Sequence, residues 1–362
     1  MIAIQREQLL NPLRRAMGPA KDKSALPILS HALVRSTGDR LSVTCTDLET
    51  QMEAVTDIRL EPFEACIPAK RLADILGLLP EQSIVDLDLK PGERLTLKAG
   101  RSRHQIAILP AEQFPDFDRT DPQGGFSIEA RTFKRMLDKV AFCMAVEDVR
   151  FYLKGALLDP TETTLAAVSS DGHRFALCES AIESVDGKLH PAIVPREAVL
   201  MLAKQLPPSA DPTQVELHDS TLSVTLPGLV ASVKLIEARY PDWQRAILKN
   251  FPTAVSLDCG TAAAAFRRAS LAKNDKVKAV RVALARSELT ITATNENGEV
   301  SEDGLAVDSP DELELGINAV YVTEALSHMD GQTATLNLAD NQTKLTDPND
   351  PSYWFVIMPM RL

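Results

Sequence analysis

Aromatic residues make up only 5% of this 362-residue chain, and there are only six histidines. No two of His31, His104, His173, His190, His218 and His328 stand at His-x-x-x-His spacing, so the sequence offers no obvious metal site. Its five cysteines (Cys45, Cys66, Cys143, Cys178 and Cys259) are odd in number, widely separated and free of any Cys-x-x-Cys pair. That usage predicts reduced core residues in a cytoplasmic protein. Neither phosphate-cradling glycine pattern, Gly-x-x-x-x-Gly-Lys-Ser/Thr or Gly-x-Gly-x-x-Gly, occurs, so no nucleotide or other cofactor is expected. The first residues, MIAIQREQLL, lack a basic flank before an apolar stretch, and no run of 18 apolar residues follows. A signal peptide and a membrane-spanning helix are therefore not expected.

Positive charge is also scarce: the net charge is −11, which taken alone argues against a nucleic-acid partner. Its distribution argues the other way. Apolar spacing and proline punctuation predict six main helices, at 5–15, 69–79, 131–142, 196–206, 261–273 and 318–329. They carry +2, +1, +3, +1, +3 and −1, so the helices hold +9 and the rest of the chain −20. Basic helix faces are the electrostatic footprint of a phosphate partner. Solvated charged stripes on unrelated helices are the alternative. Pro12 should bend or shorten the first helix.

What is present is a repeat. Residues 148–178 read as a strand at 151–159, a polar turn, a strand at 164–169, a tight Ser170-Asp171-Gly172-His173-Arg174 turn and a strand at 175–178. Residues 28–54 and 280–307 share that layout. Pro68, Pro195 and Asn318 each open a helix at the same place in the period, about 125 residues apart. The expectation is an α+β protein of three similar domains, 1–122, 126–248 and 252–362, each with two helices packed on antiparallel sheets. The segments 110–123 and 239–252 serve as linkers.

Ser169, Ser170, Asp171 and His173 invite a hydrolase reading. Residues this close along one turn cannot readily assemble nucleophile, base and orienting group, and no Gly-x-Ser-x-Gly elbow surrounds them. A turn fixed by Asp171 and Gly172 is the simpler account. The apolar end 353–362, YWFVIMPMRL, reads both as a last strand and as adaptable methionine lining for a peptide groove.

Several short motifs then recur in a familiar order: Leu26-Pro27-Ile28-Leu29, Thr46-Asp47-Leu48-Glu49, Leu109-Pro110-Ala111 with Phe114-Pro115, and Asp148-Val149-Arg150. Asp171-Gly172-His173-Arg174, Val194-Pro195-Arg196, Tyr240-Pro241-Asp242 and Met358-Pro359-Met360-Arg361-Leu362 follow. Over essentially its whole length the chain resembles the bacterial DNA polymerase III β sliding-clamp family. That resemblance implies a non-catalytic, head-to-tail homodimer ring around double-stranded DNA, with helices lining the hole. It implies DNA contacts at Lys23, Lys70, Glu147, Arg150, Phe151 and Tyr152; Glu147 replaces a family glutamine, and Val146 beside it a histidine.

The resemblance also implies a cleft for short peptides of the polymerase III catalytic subunit, the clamp loader and repair polymerases. Its expected lining is Leu153, Ser170, Gly172, His173, Arg174, Phe175, Pro241, Arg245, Ala246, Val277, Asn318, Tyr321, Val356, Ile357, Met358, Pro359, Met360, Arg361 and Leu362. Val277 stands in place of a family phenylalanine and Gln342 in place of a valine. The implied dimer contact sets His104 and Ile106 against Leu271 and Ala272, with Arg101 and Arg103 near the acidic stretch 296–303.

Overall fold

The computed structural model describes residues 1–90, 94–117, 120–272 and 279–361. Seven α-helices occur among them: α1 Arg6–Ala16, α2 Ala69–Leu78, α3 Ala130–Ala141, α4 Arg196–Gln205, the short α5 Trp243–Ala246, α6 Cys259–Ala269 and α7 Ala319–Ser327. Pro12 lies inside α1, which runs unshortened through Arg6–Ala16. Its ring is buried beside Leu9, Leu10 and Leu13, and this packing offsets the backbone hydrogen bond that proline removes. The chain divides into two compact units, residues 1–134 with 182–235, and residues 135–181 with 236–362.

In the first unit, strands Arg40–Thr46 and Thr50–Asp57 belong to the first repeat, and Thr221–Leu226 and Leu229–Lys234 to the second. All four lie in one antiparallel sheet, joined where Leu229–Lys234 pairs with Thr50–Asp57 in the register Val230↔Glu53. Alternation explains the fit: Val34, Val43, Met52 and Ala54 face inward with at most 1% exposure, while Arg35, Ser42 and Glu53 line the other face. A separate four-stranded sheet runs Ile2–Gln5, Ile84–Lys90, Arg94–Ala99, Ser102–Ala107 and leaves the last strand as an open edge.

The second unit repeats the joint. The strand Arg174–Ala181 ends the block of the second repeat and pairs with Asp350–Ile357, the last strand of the third, in the register Phe175↔Val356. The third repeat's own block makes a four-stranded sheet whose last strand, Val300–Ala306, is again an open edge.

One strand begins later than its composition suggests. Residues 151–154 form a 3-10 turn, and the strand is Gly155–Pro160. The backbone N–H of Leu153 is donated to the Arg150 carbonyl, so the ladder cannot start before Gly155. The linker at 239–252 contains α5, and the linker at 110–123 a 3-10 turn, Ala111–Gln113.

Candidate peptide cleft and nucleic-acid surface

The turn between Thr164–Ser170 and Arg174–Ala181 is built by its own side chains. Asp171 accepts hydrogen bonds from the backbone N–H groups of His173 (2.9 Å) and Arg174 (3.0 Å), and Ser170 Oγ accepts from Gly172 N (3.0 Å). Gly172 takes φ +87°, a left-handed conformation natural to glycine. Ser170 Oγ donates to the Arg174 carbonyl, buried Ser169 Oγ donates to the Val140 carbonyl, and no hydrogen bond joins either serine to the His173 ring. The hydrolase constellation is thus a set of turn-forming contacts.

Arg174 is the centre of the candidate cleft. Its Nε donates to Asp171 Oδ2 at 2.9 Å and its Nη1 to Glu324 of α7. The guanidinium carbon lies 4.3 Å from the Tyr321 ring centroid and 5.4 Å from that of Phe142. Only 13% of this side chain is exposed, so the cation is held in place largely desolvated between two carboxylates and two rings. Phe142 in turn stacks on His328 at 4.1 Å between ring centroids. Beneath this group the Cys143 thiol is fully buried, and burial pushes its pKa well up, so it stays a protonated core group.

On the other side, Phe175 stacks between Trp243 (5.7 Å) and Trp354 (5.4 Å). Two backbone bonds tie down the chain end: Met358 N to the His173 carbonyl and Met360 N to the Gly316 carbonyl, both 2.8 Å. Gln342 clamps the α5 segment, donating to the Ala246 carbonyl (2.6 Å) and accepting from Leu248 N (2.9 Å). A valine there could do neither, so this departure from the family pattern has a structural purpose.

The expected lining residues therefore separate by role. His173, Arg174, Pro241, Arg245, Ala246, Tyr321, Met358, Pro359, Met360 and Arg361 have surface to offer, whereas Val356 and Ile357, at 0% and 1% exposure, and buried Leu153, Phe175 and Asn318 shape the floor from beneath. Asn318 is spent on capping α7, accepting from Val320 N at 3.0 Å. Val277 and Leu362 lie outside the described residues. Sequence reasoning missed Phe142, Trp243, Glu324, His328 and Trp354. The tryptophans, the only two in the chain, were the available signal.

The expected DNA contacts fall in two places. In the first unit Lys23 and Lys70 line a recess of about 420 Å3 together with Lys21, Arg71, Asp22 and Asp74. Lys70 is paired with Asp22, and Lys21 lies 3.4 Å from Asp47. In the second unit Glu147, Arg150 and Phe151 are exposed, while Tyr152 is half-buried edge-on against Tyr240 (6.2 Å). Arg150 grips Asp148, whose carboxyl is held down to about 2, chiefly by the Arg150 side-chain and backbone hydrogen bonds.

The helical charge also needs correcting. In α3, Arg131 pairs with Glu129 and Lys134 donates to the Ala203 carbonyl. Arg135 pairs with Asp330 and Asp350, and Lys139 with Asp330. Much of the positive count thus serves local packing, and counting charges by helix overstates what is offered to phosphate.

Of the expected dimer residues, Leu271 is 79% exposed and His104 partly so, but Ile106 has no exposed surface and Ala272 little. Ile106 points into its own sheet because the strand Ser102–Ala107 alternates, presenting Arg103, Gln105 and Ala107 outward.

Repeated domains and open sheet edges, with no catalytic constellation at the 170–174 turn, are the features of a binding scaffold. The chain belongs to the DNA polymerase III beta subunit family, whose N-terminal, central and C-terminal domain models match residues 1–118, 127–242 and 244–361. It is 34% identical over 367 residues to the beta sliding clamp of Escherichia coli K12, and 33% identical over 364 residues to that of Salmonella typhimurium, with 99% of each chain covered. Among solved structures, the DNA polymerase III subunit beta of Pseudomonas aeruginosa matches at TM-score 0.95 and 32% identity over 100% of both chains. A sliding clamp of that organism bound to griselimycin matches equally, at 0.95 and 32% over 99% of both. The function that comes with this membership is that of a sliding clamp, a non-catalytic processivity factor. No described helix is long and apolar enough to cross a membrane.

Proposed function

We propose that the chain forms a head-to-tail homodimer of six clamp domains, bounded at 1–122, 126–248 and 252–362, that closes around double-stranded DNA. The observation that carries this reading is the pair of unfinished sheets. Twice within the chain, the last block strand of one repeat pairs antiparallel with the last strand of the next, Thr50–Asp57 with Leu229–Lys234 and Arg174–Ala181 with Asp350–Ile357. Val300–Ala306 and Ser102–Ala107 are the strands left over in the same two roles, each on an open edge. Pairing each with its counterpart on a second copy completes the pattern and closes the assembly, since a heterologous contact that returns on itself makes a ring. Arg103 on one edge and Glu302 on the other supply opposite charge, and exposed Leu271 supplies apolar area beside it.

Lys23, Lys70, Arg150, Phe151 and Tyr152 are the residues proposed to meet the DNA backbone, with Glu147 weakening the contact at its own position. Retention is then topological, so the local attraction stays weak enough for sliding. The cleft around Arg174 takes short glutamine- and leucine- or phenylalanine-containing segments of the polymerase III catalytic subunit, the clamp loader and repair polymerases. Tethering raises the local polymerase concentration at the primer end, so modest cleft affinity still yields processive synthesis.

Loaded protein is expected to stay on nicked circular DNA and to leave once the circle is linearised, as measured by gel filtration of the complex. Equal retention on both forms would rule out encirclement. Leu271→Asp is expected to move the native mass from dimer toward monomer by about tenfold in dissociation constant, because it sets a charge in an apolar contact. A monomeric wild type at micromolar concentration would favour a non-ring scaffold that gathers peptides without DNA.

A further inference from the structure

The face of the first unit's large sheet that bears Arg35, Thr44 and Glu53 carries a feature that neither the candidate cleft nor the proposed DNA contacts use. The segment 111–117 crosses over it and leaves a recess of about 470 Å3, walled by Phe114, Pro115 and Phe117 and floored by Leu33, Thr44 and Gln51. Thr44 and Gln51 are 7% and 9% exposed, yet neither side chain has a hydrogen-bond partner among the described residues. The polar atoms of both side chains open into the recess rather than being closed off, so a hydroxyl and an amide that no protein group engages are available there to a ligand's polar groups. A second recess, of about 630 Å3, adjoins it across Glu64, Ala111 and Glu112, with Ile2, Phe63 and Leu87 among its lining.

Carboxylates outnumber cations around both recesses, where the Met1 amino group and Arg35 are the basic groups of the lining. Glu64 is matched by Arg35 at 2.9 Å, but Glu112 and Asp116 have no cation among the described residues, and Glu61 and Asp88 add two more carboxylates. We propose that this double recess is a second docking surface, for a short extended segment of a partner protein that carries lysine or arginine beside apolar side chains. The apolar walls take the apolar residues, Glu112 and Asp116 take the cations, and the Gln51 amide pairs with the segment's backbone. The proposal does not depend on ring closure or on the Arg174 cleft.

The test uses the full-length protein and a fluorescein-labelled peptide, Gly-Lys-Leu-Lys-Phe-Lys, followed by anisotropy. Saturable binding is expected, weakened about tenfold by the double variant Glu112→Gln, Asp116→Asn. Gln51→Leu should weaken binding severalfold without lowering the thermal midpoint, because the amide it removes has no partner in the free protein. Arg174→Ala should leave binding unchanged. If the exposed control pair Glu179→Gln, Glu183→Gln weakens binding as much as the first pair, the attraction is general acidity and the proposal fails. It also fails if Arg174→Ala abolishes binding, or if Gln51→Leu leaves it intact.

Discussion

Replacing Arg174 with alanine is expected to reduce the affinity for a cleft-binding peptide by roughly 100-fold, equivalent to about 2.7 kcal/mol. The size follows from where the guanidinium sits. It is only 13% exposed and faces Tyr321 and Phe142 while bridging Asp171 and Glu324. Removing it collapses one wall of the cleft and leaves two carboxylates facing an incoming backbone. Arg174→Lys should recover little, since an ammonium cannot serve both carboxylates in the plane between two rings. Isothermal titration with a glutamine- and leucine-containing peptide checks the affinity, and native mass should show the dimer unchanged. Unaltered affinity in the alanine variant would refute the placement of the cleft.

The second large effect is on stability. Lys139 of α3 is 4% exposed, donating to Asp330 Oδ1 (2.7 Å) and to the His328 carbonyl, with its ammonium 4.0 Å from the Tyr353 ring centroid. Arg135 joins the same cluster through Asp330 and Asp350, and the Tyr353 hydroxyl donates to Asp347 at 2.8 Å. Asp330→Ala leaves the buried ammonium without its carboxylate and should cost about 3 kcal/mol in a urea titration. Lys139→Met, which removes the buried charge itself, should cost much less.

The pH dependence has a definite sign. Burial raises the Asp330 and Asp350 carboxyls, but hydrogen bonds and the nearby cations outweigh it and hold both below their ordinary value. Their contribution is therefore present above the unfolded value of about 3.9 and lost as pH falls through the folded values. Stability from this cluster should be flat from pH 6 to 8 and disappear only in acid. A loss near neutrality would point to another group.

The repeat was legible because period-two alternation and the Pro68, Pro195 and Asn318 helix starts depend only on neighbours along the chain. The Asp171-Gly172-His173-Arg174 turn was legible because it is local, and Arg174 was carried to the candidate cleft by the family resemblance of that motif. Phe142 and Glu324 could not be named, since they reach Arg174 from 32 and 150 positions away in the chain, and His328 stacks on Phe142 from 186 positions away. For the same reason the helix charges looked freer than they are: Lys139 finds Asp330 191 residues away. Ile106, placed at the dimer contact by the family resemblance, has its side chain turned inward by the alternation of its strand.

Both joints between successive repeats are knitted by antiparallel ladders between strands of one covalent chain, Thr50–Asp57 to Leu229–Lys234 and Arg174–Ala181 to Asp350–Ile357. Parting either would break five main-chain pairings together. In the proposed dimer the remaining two seams have no peptide bond across them. Any hatch that admits a DNA molecule therefore belongs at those seams, beside Leu271 and Arg103.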